Sequence, residues 1–170
     1  MRLIYPSFII FTALLIGPIA AEAQGDMSVS INVTLSDKAT ARLASDKESI
    51  IAFASYSAEP KKNAVATATK ADAIGPDGMV DLTPTQESVE ISGKGGAARI
   101  TGKNIDAKRL SWITGPLHVN VNVASARKSS ADNILDCDFI DGPLKKVQEA
   151  PITLRCGLIE GDHIETKLKP

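Results

Sequence analysis

Apolar and polar residues alternate with a period of two along much of the chain, and the alternating stretches are separated by Gly, Pro, Asp and Ser clusters. That period places successive side chains on opposite faces of an extended strand, so the pattern predicts sheet. In MSVSINVTL, residues Met27, Val29, Ile31, Val33 and Leu35 fall on one face and Ser28, Ser30, Asn32 and Thr34 on the other. ATARLA, from Ala39 to Ala44, and SIIAFASYS, from Ser49 to Ser57, read as further strands, as does AVATATKAD beyond the charged turn at Ala58 to Asn63. Pro76, Asp77 and Gly78 suit a turn, because proline presets one backbone angle and glycine accepts a positive one. ESVEIS and AARITG, joined through Gly93 to Gly96, read as two arms of one hairpin. NIDAKRLSWI carries a short helical turn before the strand that opens at Leu117.

In that strand Val119, Val121 and Val123 share one face while His118, Asn120, Asn122 and Ala124 share the other. Ala126 to Asn133 is a basic, serine-rich loop, and Ile134 to Ile140 is the next strand. Its alternation puts Leu135, Cys137 and Phe139 inward, with Asp136 and Asp138 outward. In PITLRCGLIE, Ile152, Leu154, Cys156 and Leu158 point inward and Arg155 outward, close to Asp136 or Asp138. Eight or nine strands at a spacing of roughly 10 to 15 residues predict an all-β domain, an antiparallel β-sandwich of immunoglobulin-like or transthyretin-like general shape. The antibody order of Cys, Trp, Cys is absent, since Trp112 precedes both cysteines.

The first residues break the pattern. Arg2 is followed by an apolar run from Leu3 to Ile19, and small residues stand at Ala21 and Ala23. This is the layout of a secretory signal peptide, residues 1–23, cut between Ala23 and Gln24. Pro6, Gly17 and Pro18 interrupt the run, which makes a poor membrane span against the roughly 20 apolar residues one needs. Residues 24–170 then form one exported domain, periplasmic or secreted. Cys137 and Cys156 are the chain's 2 cysteines, and an oxidising compartment turns such a pair into a disulfide.

Charge adds an exclusion. The 19 basic and 20 acidic residues leave a net charge of -1, which favours neither nucleic acid nor an anionic membrane surface. Aromatics make up 4% of the chain, so stacking of bases or sugars has few rings to use.

Catalytic and metal chemistry find little support in the residue pattern. His118 and His163 lack ligand spacing to each other or to a cysteine, which argues against zinc. Asp132, Asp136, Asp138 and Asp141, followed by Gly142, invite a calcium loop, yet Ile140 puts the last acid out of phase. GKGGAAR, from Gly93 to Arg99, lacks the Lys-Ser/Thr pair and the helix of a phosphate loop and reads as a hairpin tip. No cofactor is expected.

What remains is the polar strand face. Asn packs poorly in strands and its amide competes for backbone partners, so two at alternate positions cost stability. Either neighbouring loops satisfy them within the fold, or they meet a ligand. The candidate binding surface is Asn120, Asn122, Arg127 and Lys128, suited to a protein or peptide partner of the cell envelope. The expected function is a non-enzymatic binding or interaction module. The alternative is a secreted inhibitor of a hydrolase, such as a cell-wall-degrading enzyme, presenting Gly93 to Gly96 or Arg127 to Asp132 as its loop.

Overall fold

The structure, a computed structural model, describes residues 25–162 and 164–170. The expected leader and His163 lie outside the described residues. In chain order the elements are β1 (Val29–Leu35), α1 (Asp37–Asp46), β2 (Ser49–Pro60), α2 (Val65–Lys70), β3 (Val80–Asp81), β4 (Glu87–Ile91) and β5 (Gly96–Ile100). They continue with α3 (Ala107–Leu110), β6 (Ile113–Ala126), β7 (Leu135–Cys137), β8 (Phe139–Pro143), α4 (Leu144–Val147), β9 (Ile152–Leu158) and β10 (Leu168–Lys169).

The strands form two sheets. One has four strands in the order β5-β1-β9-β7; the other has six, β10-β8-β6-β2-β3, with β4 also paired to β2. Alternation gives each sheet one apolar face. Val29, Ile31, Val33, Ile100, Leu135 and Leu154 from the first join Ile50, Ala52, Ala54, Tyr56, Val119, Val121 and Ile140 from the second in a single buried cluster. The inward residues of β1 and β6 are those the alternation predicts, and in β2 the inward set is Ile50, Ala52, Ala54, Tyr56 and Ala58.

The sheets are mixed, which corrects the expectation of purely antiparallel pairing. β1 runs parallel to β9, with Val33 opposite Leu154, and β10 runs parallel to β8. Hydrophobic alternation is the same for either direction, so the pattern cannot distinguish them.

Two predicted strands are helices. Ser36 caps α1, its Oγ accepting from the Ala39 amide at 3.0 Å, and Lys47 ends it in the left-handed region at φ 55°. Ala39 and Leu43, four apart, face the core while Ala41 is exposed. In α2 the buried residue is Ala68, four after the buried Ala64. Alanine fits either face of either element and favours helix, so alternating alanines are a false strand signal.

The expected hairpin is a crossover. β4 pairs with β2 and β5 with β1, so the chain changes sheets between Ser92 and Gly96. A Cβ at Gly93 would sit 2.3 Å from the Glu48 carbonyl oxygen, and one at Gly95, where φ is +81°, 2.5 Å from that of Val33. Those glycines exist because backbone passes against backbone there.

The strand expected from Ile134 to Ile140 is two strands. It breaks at Asp138, where the chain leaves the four-stranded sheet as β7 and enters the six-stranded one as β8. The crossing reverses the facing: Asp138 is fully buried and Phe139 is exposed, opposite to the uninterrupted alternation. α3 occupies the stretch where a short helical turn is expected.

Candidate functional site

β6 lies near the middle of the six-stranded sheet, between β2 and β8. Its valines fill the inner face, which leaves Asn120 and Asn122 half-buried on the outer one. Register sets their neighbours: Asn122 stands opposite Phe53, and Asn120 stands between Ser55 on β2 and Asp141 on β8. Part of the amide requirement is met inside the row, because Asn122 Nδ2 donates to Asn120 Oδ1.

A solvent-open groove of about 550 Å³ runs over this face. Ser55, Ser57, Asn120 and Asp141 contribute to its floor and sides from the sheet, and Asp77 and Gln86 contribute from the connections flanking β3. The Asp77 side chain also holds its own turn, accepting from the Met79 amide at 3.0 Å. Asp81, at the end of β3, lies beside the groove with its carboxylate 3.3 Å from Arg109 Nη1. The lining therefore offers hydroxyl, amide and carboxylate groups, and no lysine or arginine.

Arg127 is placed elsewhere. Its Nε donates to Glu48 at 3.2 and 3.0 Å, and Ser129 Oγ donates to the same carboxylate at 2.9 Å. With the Arg127 side chain only 14% exposed, the guanidinium serves to neutralise a buried acid. It borders a second cavity of about 320 Å³, with Arg42, Ile134, Leu158, Ile159 and Glu160. Lys128 is exposed in the loop after β6. Of the four residues the sequence singles out, Asn120 and Asn122 adjoin on one surface, and only Asn120 lines the groove.

The loop following β6 is braced rather than projecting at its base. Ser125 N donates to Asn133 Oδ1 at 2.9 Å, and the Ile134 amide donates to Ser125 Oγ at 3.0 Å. The other loop considered for insertion into an enzyme, Gly93 to Gly96, packs against Glu48 and Val33 and is not the hairpin tip expected from sequence.

The acids grouped in sequence are dispersed in space. Asp136 is exposed on β7 of the four-stranded sheet, Asp138 is buried between the sheets, and Asp141 borders the groove. Among the described residues no three His, Cys, Asp or Glu side chains converge as a metal site.

Two further buried carboxylates have structural partners. Burial pushes the Asp138 carboxyl up, but the Arg155 guanidinium and the amides of Arg155 and Lys167 outweigh it and hold it down at about 2. Burial likewise opposes ionisation of Glu87, and four donors override it: Thr101 N and Oγ1, Gly102 N and Lys103 N, all between 2.7 and 3.1 Å. Glu87 thereby fastens β4 of one sheet to the turn that follows β5 of the other.

Cys137 and Cys156 face each other across β7 and β9 and are joined by a disulfide, with their Cα atoms 4.0 Å apart. The bond therefore ties neighbours within one sheet. Among the described residues no helix is long and apolar enough to cross a membrane.

Ser55, Ser57, Asp81 and Gln86 line the groove without being singled out by the pattern along the chain, whereas Asp77 reads from it as a turn residue and Asp141 as one acid of a calcium-loop candidate. Ser55 and Ser57 are legible as outward positions of β2, but their meeting with Asn120 depends on strand order. Compared with known proteins, the chain matches no family model, no curated protein and no solved structure.

Proposed function

We propose that the protein is an exported, non-enzymatic binding module of the cell envelope or extracellular space, and that it holds a protein or peptide partner against the outer face of its six-stranded sheet. In this reading the two sheets are the layers of a β-sandwich, residues 1–23 are removed on export, and Asn120 lies at the centre of contact. The observation that supports it is the open groove over Asn120, Ser55 and Asp141, whose amide, hydroxyl and carboxylate groups face solvent rather than a buried interior. Asn122 stiffens the row by its bond to Asn120, and its cross-strand neighbour Phe53 adds apolar area on the same outer face. An extended segment suits such a surface, because its backbone N–H and C=O groups match amides while alternate side chains meet the apolar positions.

In this reading the four sequence candidates differ in role. Asn120 and Asn122 contact the partner, Lys128 is exposed in the loop beyond β6 and meets only a partner long enough to reach past the groove, and Arg127 supports that loop through Glu48. Immobilised mature protein and its variants, exposed to an envelope extract, test this. A variant with Asn120→Ala, Ser55→Ala and Asp141→Ala is expected to keep its melting temperature and lose at least tenfold in captured partner. Arg127→Ala is expected to lower the melting temperature. A folded triple variant that captures as much as the parent chain removes the groove as the binding site.

A further inference from the structure

The six-stranded sheet ends at β10, a strand of 2 residues, and the seat that receives it is more elaborate than the strand itself. The fully buried Asp138 accepts from the Lys167 amide, and Lys169 Nζ stands 3.7 Å from the same carboxylate. Phe139 N donates to the Lys167 carbonyl at 3.2 Å. Gly142 completes the seat, since a Cβ there would come within 2.8 Å of the Pro170 carbonyl carbon. One edge of β8 is thus shaped for an extended segment that supplies a backbone N–H, a lysine and a close-packed proline.

The occupant, by contrast, buries little of its own. Leu168 is 57% exposed and lies in register with Phe139, itself 36% exposed. Ile164 to Lys167, which lead into the strand, form neither helix nor strand. A short edge strand with an exposed apolar side chain belongs to the low-stability end of a fold. Departure of the segment, however, strips a donor from a buried carboxylate, so an empty seat is costly and favours a replacement of the same kind.

We propose that β10 is an exchangeable strand, and that the edge of β8 accepts the equivalent segment of a second copy of this chain. The second copy is the occupant whose fit is already visible, because it carries the identical Lys167-Leu168-Lys169-Pro170 and the identical seat. Reciprocal exchange keeps every contact of the seat and adds only the entropy of association, the usual condition for strand swapping. The interface is isologous in kind, each copy both donating and accepting a strand. It is independent of the groove over Asn120.

The test uses the full mature chain prepared unlabelled and 15N-labelled, mixed at high concentration, warmed below the melting temperature and read by native mass spectrometry. Exchange predicts a species of twice the chain mass, including a mixed-isotope dimer. An excess of synthetic peptide covering residues 164–170 is expected to convert dimer into a one-to-one chain–peptide complex. Gly142→Val, which obstructs Pro170, and Lys167→Pro, which removes the amide donor to Asp138, are each expected to abolish the dimer. Circular dichroism confirms that each variant is folded. A parent chain that stays monomeric throughout overturns the proposal. So does a dimer that persists undiminished in either folded variant or in excess peptide.

Discussion

Arg155 spans both carboxylate oxygens of Asp138, with Nε 2.9 Å from Oδ2 and Nη2 3.2 Å from Oδ1, at the point where the chain crosses from one sheet to the other. The same guanidinium reaches the Glu165 carbonyl at 2.7 Å, so one ion pair joins β9, the β7–β8 crossing and the segment leading to β10. Asp138 is wholly buried while the Arg155 side chain is 45% exposed. Removing the acid leaves several donors without an acceptor, and partial solvation of the guanidinium softens the loss. Asp138→Ala is expected to lower unfolding free energy by about 3 kcal/mol, read from urea titrations. A change below about 1 kcal/mol would show that the pair does not hold the crossing.

The same carboxyl predicts acid sensitivity with a defined sign. Its folded value of about 2 lies below the ordinary 3.8, so the folded state binds its proton more weakly than the unfolded state does. The resulting stability is fully present above the ordinary value and is lost as pH falls from about 4 to about 2. Melting temperature should drop through that window in the parent chain. Asp138→Asn, which cannot ionise there, should show a shallower drop; equal slopes would assign the acid transition to other groups.

Glu87 is surrounded entirely by donors at its carboxylate, with Thr101, Gly102 and Lys103 all presenting N–H groups. An amide of the same shape cannot serve, because its NH₂ half would face donors. Glu87→Gln is therefore expected to cost about 2 to 3 kcal/mol despite its near-identical volume, measured by chemical denaturation. A neutral result would mean that the surrounding turn can rearrange freely.

Lys47 ends α1 at φ 55°, with its amide directed at the carbonyls of Ala44 and Leu43. Glycine adopts that conformation without the Cβ penalty, and the Lys47 side chain is exposed. Lys47→Gly is expected to raise stability by about 0.5 to 1 kcal/mol, visible as a higher melting temperature. A lower one would indicate that the lysine side chain makes an important contact.

The disulfide closes a sequence separation of 19 residues between neighbouring strands. By the loop-entropy argument, replacing both cysteines with serine lowers stability by about 3 kcal/mol. The denaturation midpoint should fall while the strand-rich circular dichroism spectrum persists, because the shared apolar core spans both sheets without the bond. Thiol titration of the denatured, unreduced protein should find no free sulfhydryl.

The amino-acid sequence by itself determined the local, period-two facts. Val29, Ile31 and Val33 must face inward together, as must Val119, Val121 and Val123, because adjacent side chains on a strand point opposite ways. It also placed Asn120 and Asn122 outward, and offered Asp138 as one of two acid partners for Arg155, though on the outer face where the structure buries it. Alternating alanines at Ala39 and Ala41 misled it, since alanine carries almost no facing information and the Ser36 cap decides the element. Tertiary structure alone decided which strands are neighbours, and in which direction they run. It set β1 parallel to β9, sent β4 and β5 to different sheets, and reversed Asp138 and Phe139 at a crossing that continuous alternation cannot register. The groove follows from the same choice: Ser55, Asn120 and Asp141 come from three strands and meet only because β2, β6 and β8 lie side by side. Pairing between distant strands is selected by the total burial and hydrogen bonding of the assembled sheets, and no single stretch of chain contains that sum.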